Sequence, residues 1–166
     1  MIESEEWVTV NSFPQYEVST LGHIRNRKTE RIMQTKLNQY GVLGVKLMKD
    51  SYQFHRSVPL LVAAAYLRKP NPAFDTPINL DGDRNNNAVS NLMWRPRWHA
   101  VAYHKQFNEP YSDPINRRIV DCHSGAIYEN SWQCAMANGL LESDIVLSIL
   151  NRTYAGITFQ QFEVVG

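Results

Sequence analysis

The segment that decides the fold runs from position 79 to position 94 and reads NLDGDRNNNAVSNLMW. Asp81-Gly82 is a dipeptide typical of tight turns, and the run Asn85-Asn86-Asn87 carries side-chain amides that hydrogen-bond within loops. Ser90 and Asn91 are residue types that cap a short helix. The pattern predicts, in order, a strand, a polar loop, a second strand and a helix.

The sequence on either side extends this core. Residues 52–56 are strand-like, and residues 58–67 are apolar at helical spacing, with Ala63-Ala64-Ala65 favouring helix. Prolines at positions 70, 72 and 77 predict an extended loop before the central segment. Residues 98–107 predict a second helix after it.

Residues 1–50 predict a small β-rich module. Short alternating runs begin at Trp7 and continue through Tyr16 and Val18, whose types and spacing indicate core positions. Gly22 suits the turn of a hairpin, and residues 42–48 predict a further strand.

The last third of the chain predicts a separate module after a polar, proline-bearing linker at 108–114. Ser124-Gly125 indicates the turn of a hairpin, Ser131 is placed to cap a helix over residues 132–138, and Gly139 turns the chain. A second helix over 143–150 and a closing strand over 156–162 follow. The predicted fold class is therefore α+β.

The central segment resembles the core of the HNH endonuclease motif as phage and intron homing endonucleases carry it. In that family the run reads roughly Asp/Asn-His-x-Asp-Gly-Asn-x-x-Asn-Asn, followed by Asn-Leu-x-Trp. The matching residues are Asp81, Gly82, Asn86, Asn87, Asn91, Leu92 and Trp94.

Two further resemblances cover most of the remaining chain. The residues Trp7 to Val10 and Phe13 to Asn26 are similar to the NUMOD4 module, which commonly precedes HNH domains in phage endonucleases. The C-terminal part resembles a NUMOD1 or helix-turn-helix module. The resemblances imply a NUMOD4-like module at 1–50, an HNH-like ββα module at 51–107, the linker at 108–114 and a NUMOD1-like module at 115–166.

The family's chemistry needs a neutral His that deprotonates a water, and one divalent metal that polarises the scissile phosphate. The resemblance places Asn79 and Asn91 at catalytic positions of the motif, so that Asn79 stands where the His belongs. The two metal-ligand positions carry Ile78 and Ala100, which cannot bind a metal. A one-residue deletion would instead put Asn79 at the ligand position and remove the His. Either alignment predicts a degenerate catalytic centre.

Other residues offer weaker substitutes for the missing chemistry. His55, His99 and His104 are the candidates for a displaced base, although His99 and His104 are five residues apart and do not share one helical face. Asp81 is the candidate metal ligand, for Mg²⁺ or another divalent cation, if the protein is active. The competing interpretation of Asp81 is turn structure.

Basic and aromatic residues predict a surface for double-stranded DNA. The predicted contacts are Arg84, Arg95, Arg97, Trp98, Lys105 and Arg152. The second C-terminal helix argues against DNA, because Glu142 and Asp144 stand at its N-terminal end, where they would repel phosphates. A protein partner, such as a phage assembly, therefore stays open.

Charge and composition restrict the functional class. Through residue 110 the chain carries 14 Lys and Arg against 10 Asp and Glu, a net charge of +4, and the remainder carries 3 against 6, a net charge of −3. DNA-binding proteins usually have a clearer basic excess. No apolar run predicts a membrane span, and the acidic start does not resemble a signal peptide. The predicted location is the host cytoplasm or a phage virion, without secretion.

Three functions follow as hypotheses. The first is an HNH homing-endonuclease-like phage protein with a degenerate catalytic centre, retained to bind DNA or protein. The second is a virion or phage-complex component that binds other phage proteins. The third is an active metal-dependent nickase that uses a displaced His.

Overall fold

A computed structural model describes residues 4–166, which form two compact units, residues 4–97 and residues 98–166. Residues 1–3, which open the acidic start, lie outside the described part. Within residues 4–166, no helix combines the length and apolar character that crossing a membrane requires. The α+β class is confirmed.

The first unit contains three small antiparallel sheets and one helix. The first sheet contains β1 (Trp7–Val10), β2 (Phe13–Ser19) and β3 (Ile24–Asn26). The second contains β4 (Thr35–Leu37), β5 (Leu43–Lys49) and β6 (Tyr52–Ser57), and helix α1 (Val58–Tyr66) follows it. The third is the two-stranded pair of β7 (Thr76–Asn79) and β8 (Leu92–Arg95).

Local sequence explains these elements. Gly22, at φ 88°, allows the tight turn between β2 and β3. Ser57 caps α1 by accepting a hydrogen bond from the backbone N–H of Leu60, and Pro59 lies in the first turn, where its missing donor costs nothing. Tyr16 and Val18 are buried, as predicted. Trp7 is half-buried, with the Arg25 guanidinium 4.1 Å from its ring centre.

The predicted strand, loop and strand of the central segment are present. Ile78 lies opposite Met93, and Asn79 lies opposite Leu92 in the β7–β8 pair. A 3₁₀ turn, Val89–Asn91, precedes β8, and its N-cap is Ala88. The expectation that Ser90 and Asn91 cap a helix was therefore wrong, because both residues lie inside the turn.

The second unit contains most of α2 (Arg97–Lys105) and a three-stranded sheet in the order β10, β9, β11. Its further elements are β9 (Ile119–Asp121), β10 (Ile127–Tyr128), α3 (Ser131–Asn138), α4 (Glu142–Asn151) and β11 (Phe162–Val164). Gly139 ends α3 in the left-handed conformation at φ 59°, as its position predicted.

Two details of the second unit differ from the predictions. The cap of α3 is Asn130, whose side chain accepts from the Gln133 N–H, while the Ser131 hydroxyl is buried and bonds elsewhere. The closing strand begins at Phe162, because residues 155–160 form a turn in which the Ala155 N–H bonds to the Gln160 carbonyl. The boundary between the two compact units falls inside the predicted HNH-like module, and the three-module division stays a prediction.

Candidate functional site

Asn79 is buried at the end of β7, with 2% of its surface exposed. Its side-chain amide donates to the Asn86 carbonyl oxygen at 2.8 Å and to Asn87 Oδ1 at 2.9 Å. Because an amide nitrogen holds no basic lone pair near neutral pH, this side chain cannot accept a proton from water. Asn79, which one alignment predicts at the family's His position, therefore organises the loop that follows it.

The two positions that the first alignment predicts for the family's metal ligands are both apolar and buried. Ile78 is fully buried in β7, in the first unit, and Ala100 is buried in α2, in the second. Among residues 4–166 no group of three or more His, Cys, Asp or Glu is placed to hold a metal ion. The side chains at the matched positions do not fit the divalent metal that HNH nucleases generally use.

Asp81 is occupied by hydrogen bonds from its own loop. Its carboxylate accepts from Asn91 Nδ2 at 2.8 Å, from Asn86 Nδ2 at 2.7 Å and from the Asp83 N–H at 2.9 Å. Burial alone would raise the pKa of this carboxyl, but the donors from Asn86, Asn91 and Asp83 leave the pKa below its ordinary value. The arrangement matches the turn interpretation of Asp81; its role as a metal ligand stays untested.

The turn between β2 and β3 packs directly against the asparagine-rich loop, defined here as residues 80–91. The Val89 N–H donates to the Thr20 carbonyl at 2.8 Å. A Cβ placed on Gly22 would lie 2.8 Å from the Asn87 carbonyl oxygen. This distance is shorter than the contacts that Cβ atoms make in proteins, so a larger residue at this position would force the turn or the loop to move. The asparagine-rich loop is therefore stabilised by hydrogen bonds of its own side-chain amides and by contacts with the turn between β2 and β3.

The candidate substitute histidines lie in different surroundings. His99 is fully buried in the second unit, and its Nε2 lies 3.0 Å from the Gly139 carbonyl oxygen. His104 is partly buried, with Nδ1 3.0 Å from the Ala100 carbonyl oxygen of its own helix. His55 is exposed on β6. Burial removes His99 from contact with a solvent-borne substrate.

The predicted DNA-binding residues are spread over the two units. Arg95 is 7% exposed, and its guanidinium donates to the Trp94 carbonyl at 3.0 Å, so little of this residue is accessible to a phosphate. Arg84 is half-buried on the asparagine-rich loop, and burial lowers the pKa of its guanidinium. Arg97 and Trp98 are exposed at the start of α2. Lys105 is exposed and pairs with Glu109 at 3.1 Å.

A second basic surface lies on the sheet of β4, β5 and β6, and the sequence analysis missed it. Strand register places Lys36 beside Gly44 and Lys46 beside His55, on the face opposite the buried Val45 and Leu47. All three charged or titratable side chains of this face are exposed. We call Lys36, Lys46 and His55 the basic sheet face.

The charge of the surrounding sequence could have revealed this face. Residues 31–74 contain seven Lys and Arg and one acid, Asp50. Dividing the chain at residue 110 averaged this run with the acidic first residues. A sliding count of charge would have found it.

The acids of α4 do not point outward as expected. Glu142 is buried and accepts from the Ser131 hydroxyl at 2.6 Å, while its N–H donates to Gln106 Oε1 at 3.0 Å. Asp144 is half-buried, and burial raises the pKa of its carboxyl. The repulsion expected between Glu142 and phosphates therefore does not apply. Arg152 is exposed at the end of the helix, at φ 54°.

These features together define a class: a mixed α+β protein in which a strand–loop–strand–helix segment follows a β-rich N-terminal region. Residues 5–48 match the NUMOD4 motif. Two uncharacterized HNH endonucleases of Acanthamoeba polyphaga mimivirus align with this chain at 30% identity over 89 residues and 29% over 96 residues. The chain is therefore similar to HNH endonucleases over about half of its length and matches the NUMOD4 motif over residues 5–48.

The two viral relatives are much longer than this chain. The two alignments cover 54% and 55% of this chain but 26% and 24% of the viral relatives, so the chain spans about a quarter of their length. A solved structure that describes DNA binding and cleavage by the HNH homing endonuclease I-HmuI matches this chain with a TM-score of 0.54 and 17% identity. That match covers 96% of this chain and 98% of the other, and it shows the fold.

Proposed function

We propose that the protein is a DNA-binding member of the HNH homing-endonuclease family whose catalytic centre is degenerate. The observation that carries the proposal is the burial of Asn79, whose amide donates to two acceptors of the asparagine-rich loop. At the position where the family has a base, this chain has a structural side chain.

Loss of hydrolysis follows from the chemistry of the three matched positions. A water attacks a phosphodiester only when a base removes its proton and a cation stabilises the developing charge. Asn79 supplies no base, and Ile78 and Ala100 supply no ligand oxygen or nitrogen. Burial of Ile78 and Asn79 also separates both positions from solvent. We therefore derive no cleavage step through a metal.

The basic sheet face supports binding to DNA. Lys36, Lys46 and His55 are exposed on one side of a sheet, and Gly44 leaves a flat place beside Lys36. Among residues 4–166 neither lysine has an acid within 4.0 Å, so both ammonium groups are available to phosphates. Each phosphate that a cation neutralises releases counterions, which supplies affinity without sequence reading.

A quantitative binding experiment tests this role. Fluorescence anisotropy with a duplex of DNA should show that Lys36→Ala with Lys46→Ala weakens binding and lowers the slope of log K against log salt by about 2, because two phosphate contacts are lost. The matched control is Lys28→Ala with Arg117→Ala, which removes the same charge from exposed positions outside the face. Equal losses of affinity in both double variants would mean that only the net charge of the protein matters, and this result would contradict the proposed surface.

Nicking of supercoiled plasmid with Mg²⁺ or Mn²⁺ tests the degenerate centre. We expect no nicking above a buffer control. Nicking that EDTA removes would overturn the proposal and direct attention to His104 or His55, since His99 is buried. The host cytoplasm and the phage virion both remain proposed locations.

Protein binding is the second candidate function, and a specific observation favours it in the second unit. Residues 98–166 carry four Lys and Arg against seven Asp and Glu, a net charge of −3. The outer face of α4 is apolar where a DNA-reading helix carries polar and basic side chains. A phage protein assembly, proposed from the sequence, is one partner of this kind.

A further inference from the structure

His55 lies on the basic sheet face with two lysines as its neighbours. In the antiparallel pairing of β5 with β6, His55 is directly opposite Lys46, and residues so placed have Cβ atoms about 5 Å apart. Lys36 is paired with Gly44, two residues before Lys46 on β5, so Lys36 and Lys46 are diagonal neighbours about 7 Å apart. The three exposed side chains therefore form one row across the three strands.

The row is not paired with acids of its own unit. Among residues 4–166, no Asp or Glu carboxylate lies within 4.0 Å of the His55 ring or of either lysine of the row. Along the chain, the acid nearest to His55 is Asp50, in the turn between β5 and β6. Five residues of strand separate them, which is roughly 16 Å. An anion that binds the row therefore meets cations.

The other groups around His55 do not supply an anion either. Lys49, the second charged residue of β5, is three positions from the lysine opposite His55, so strand alternation places it on the opposite face. The Arg56 guanidinium donates to the His55 carbonyl oxygen at 2.9 Å. Helix α1, which packs on β6, contains no Lys, Arg, His, Asp or Glu. Its Tyr66 hydroxyl donates to two backbone carbonyl oxygens.

Histidine differs from its two neighbours because its charge changes near neutral pH. A neutral imidazole has one N–H donor, whereas a protonated imidazole has two donors and a positive charge. Imidazole side chains gain or lose this proton between about pH 5 and 8. An anion held beside an imidazole favours its charged form, and a charged donor makes the stronger hydrogen bond to phosphate. A phosphate bound by the two lysines is therefore a reason for the ring to take a proton from solvent.

We propose that Lys36, Lys46 and His55 form one phosphate site, in which His55 contacts the phosphate as the protonated imidazolium, so that DNA binds more tightly as the pH falls. The basic sheet face is the surface to which the proposed function assigns DNA, so this inference rests on that proposal. The contact from His55 is present at the acid end of the range in which imidazole titrates and is lost as the pH rises through that range. The two lysines keep their charge throughout.

Fluorescence anisotropy with a DNA duplex, at fixed salt from pH 5.5 to 8.5, tests the site on the full chain. The parent should bind about fivefold more tightly at the acid end, because one exposed charge pair is added. His55→Gln should lose this rise, since its amide takes up no proton. His55→Arg, with a fixed charge, should bind at the alkaline end as tightly as the parent does in acid. His123→Gln, which removes an exposed imidazole from the second unit, is the matched control and should keep the rise.

Titration calorimetry at pH 7, in two buffers with different enthalpies of ionisation, measures the proton directly. The parent should take up part of a proton for each duplex bound, and His55→Gln should take up less. Circular dichroism at both ends of the pH range establishes that each variant is folded. An affinity that does not change with pH, or a rise that His55→Gln keeps in full, overturns the proton-linked site and leaves DNA binding in place. A chain that binds no duplex at any pH overturns the proposed DNA-binding function together with this site.

Discussion

The asparagine-rich loop and helix α4 differ in which of their side chains are buried and which are exposed. In the loop, residues that match the HNH motif hydrogen-bond to one another, and Ile78 and Asn79, which precede the loop, are buried. In α4, the acids of the first turn face inward and apolar side chains face outward. The comparison shows that a sequence motif predicts the local fold. Which side chains are buried and which are exposed then determines what the segment can bind or catalyse.

The largest expected effect comes from restoring the family residues. Ile78→Asp with Asn79→His should lower the free energy of unfolding by more than about 4 kcal/mol, because a carboxylate enters a fully buried strand and the loop loses an amide donor. We expect no nicking from this variant. Urea denaturation measures the loss, and Ile32→Asp, at an exposed isoleucine, is the control. A stable variant that nicks DNA would restore the nuclease interpretation.

Disturbing the contact between Gly22 and the asparagine-rich loop should lower the free energy of unfolding by less than the Ile78 and Asn79 double substitution does. Gly22→Ala adds a Cβ 2.8 Å from the Asn87 carbonyl oxygen at a backbone φ of 88°, so we expect a loss of about 3 kcal/mol. Gly41→Ala, at φ 71° with open space around it, isolates the backbone cost at about 1 kcal/mol. Thermal unfolding compares the two. Equal losses would mean that the turn does not hold the loop.

Variants of Ser131 and Asn130 distinguish the contribution of a buried hydrogen bond from that of a helix cap. Ser131→Ala leaves the buried Glu142 carboxylate without its 2.6 Å donor and should cost about 2 kcal/mol. Asn130→Ala removes the cap of α3 and should cost about 1 kcal/mol. Chemical denaturation of both variants shows which substitution lowers the free energy of unfolding more. A larger loss for Asn130→Ala would reverse the assignment of these two roles.

The smallest effect concerns acid stability and Asp81. Because the folded state lowers the pKa of Asp81, its contribution is present above the ordinary value near 3.8 and disappears as the pH falls through the lowered pKa. Asp81→Asn should reduce stability near neutral pH by less than about 1 kcal/mol and flatten the decline in acid. Asp83→Asn is the neighbouring control. Identical pH profiles for Asp81→Asn and the parent would contradict the role of the loop carboxylate.

Much of the fold was predictable because its signals are local. Gly22 and Gly139 marked turns, and the apolar spacing of residues 58–67 marked a helix, since these features depend on neighbouring residues alone. The displacement of the α3 cap from Ser131 to Asn130 was not predictable, because Ser131 is recruited by Glu142, eleven residues away. The burial of Arg95 and His99 likewise depends on contacts with distant parts of each unit.

The residue types of the candidate site could be predicted from the sequence, but its hydrogen bonds could not. The absence of a base at Asn79 could be inferred from residue type, but the amide network around it required the positions of Asn86 and Asn87. The basic sheet face required strand register, because Lys36 and Lys46 lie on different strands and meet only through β4–β5 pairing.

The pairing of β5 with β6 bears on how such proteins exchange parts during evolution. The NUMOD4 match ends at residue 48, yet six residue pairs, from Gly44–Ser57 to Lys49–Tyr52, join the two strands across that boundary. A recombination joint placed there would separate hydrogen-bonded partners and remove Val58 and Val62 from the shared core. The matched motif is therefore shorter than the segment that packs around this core, and a transplant that keeps the core intact would have to carry the chain through α1.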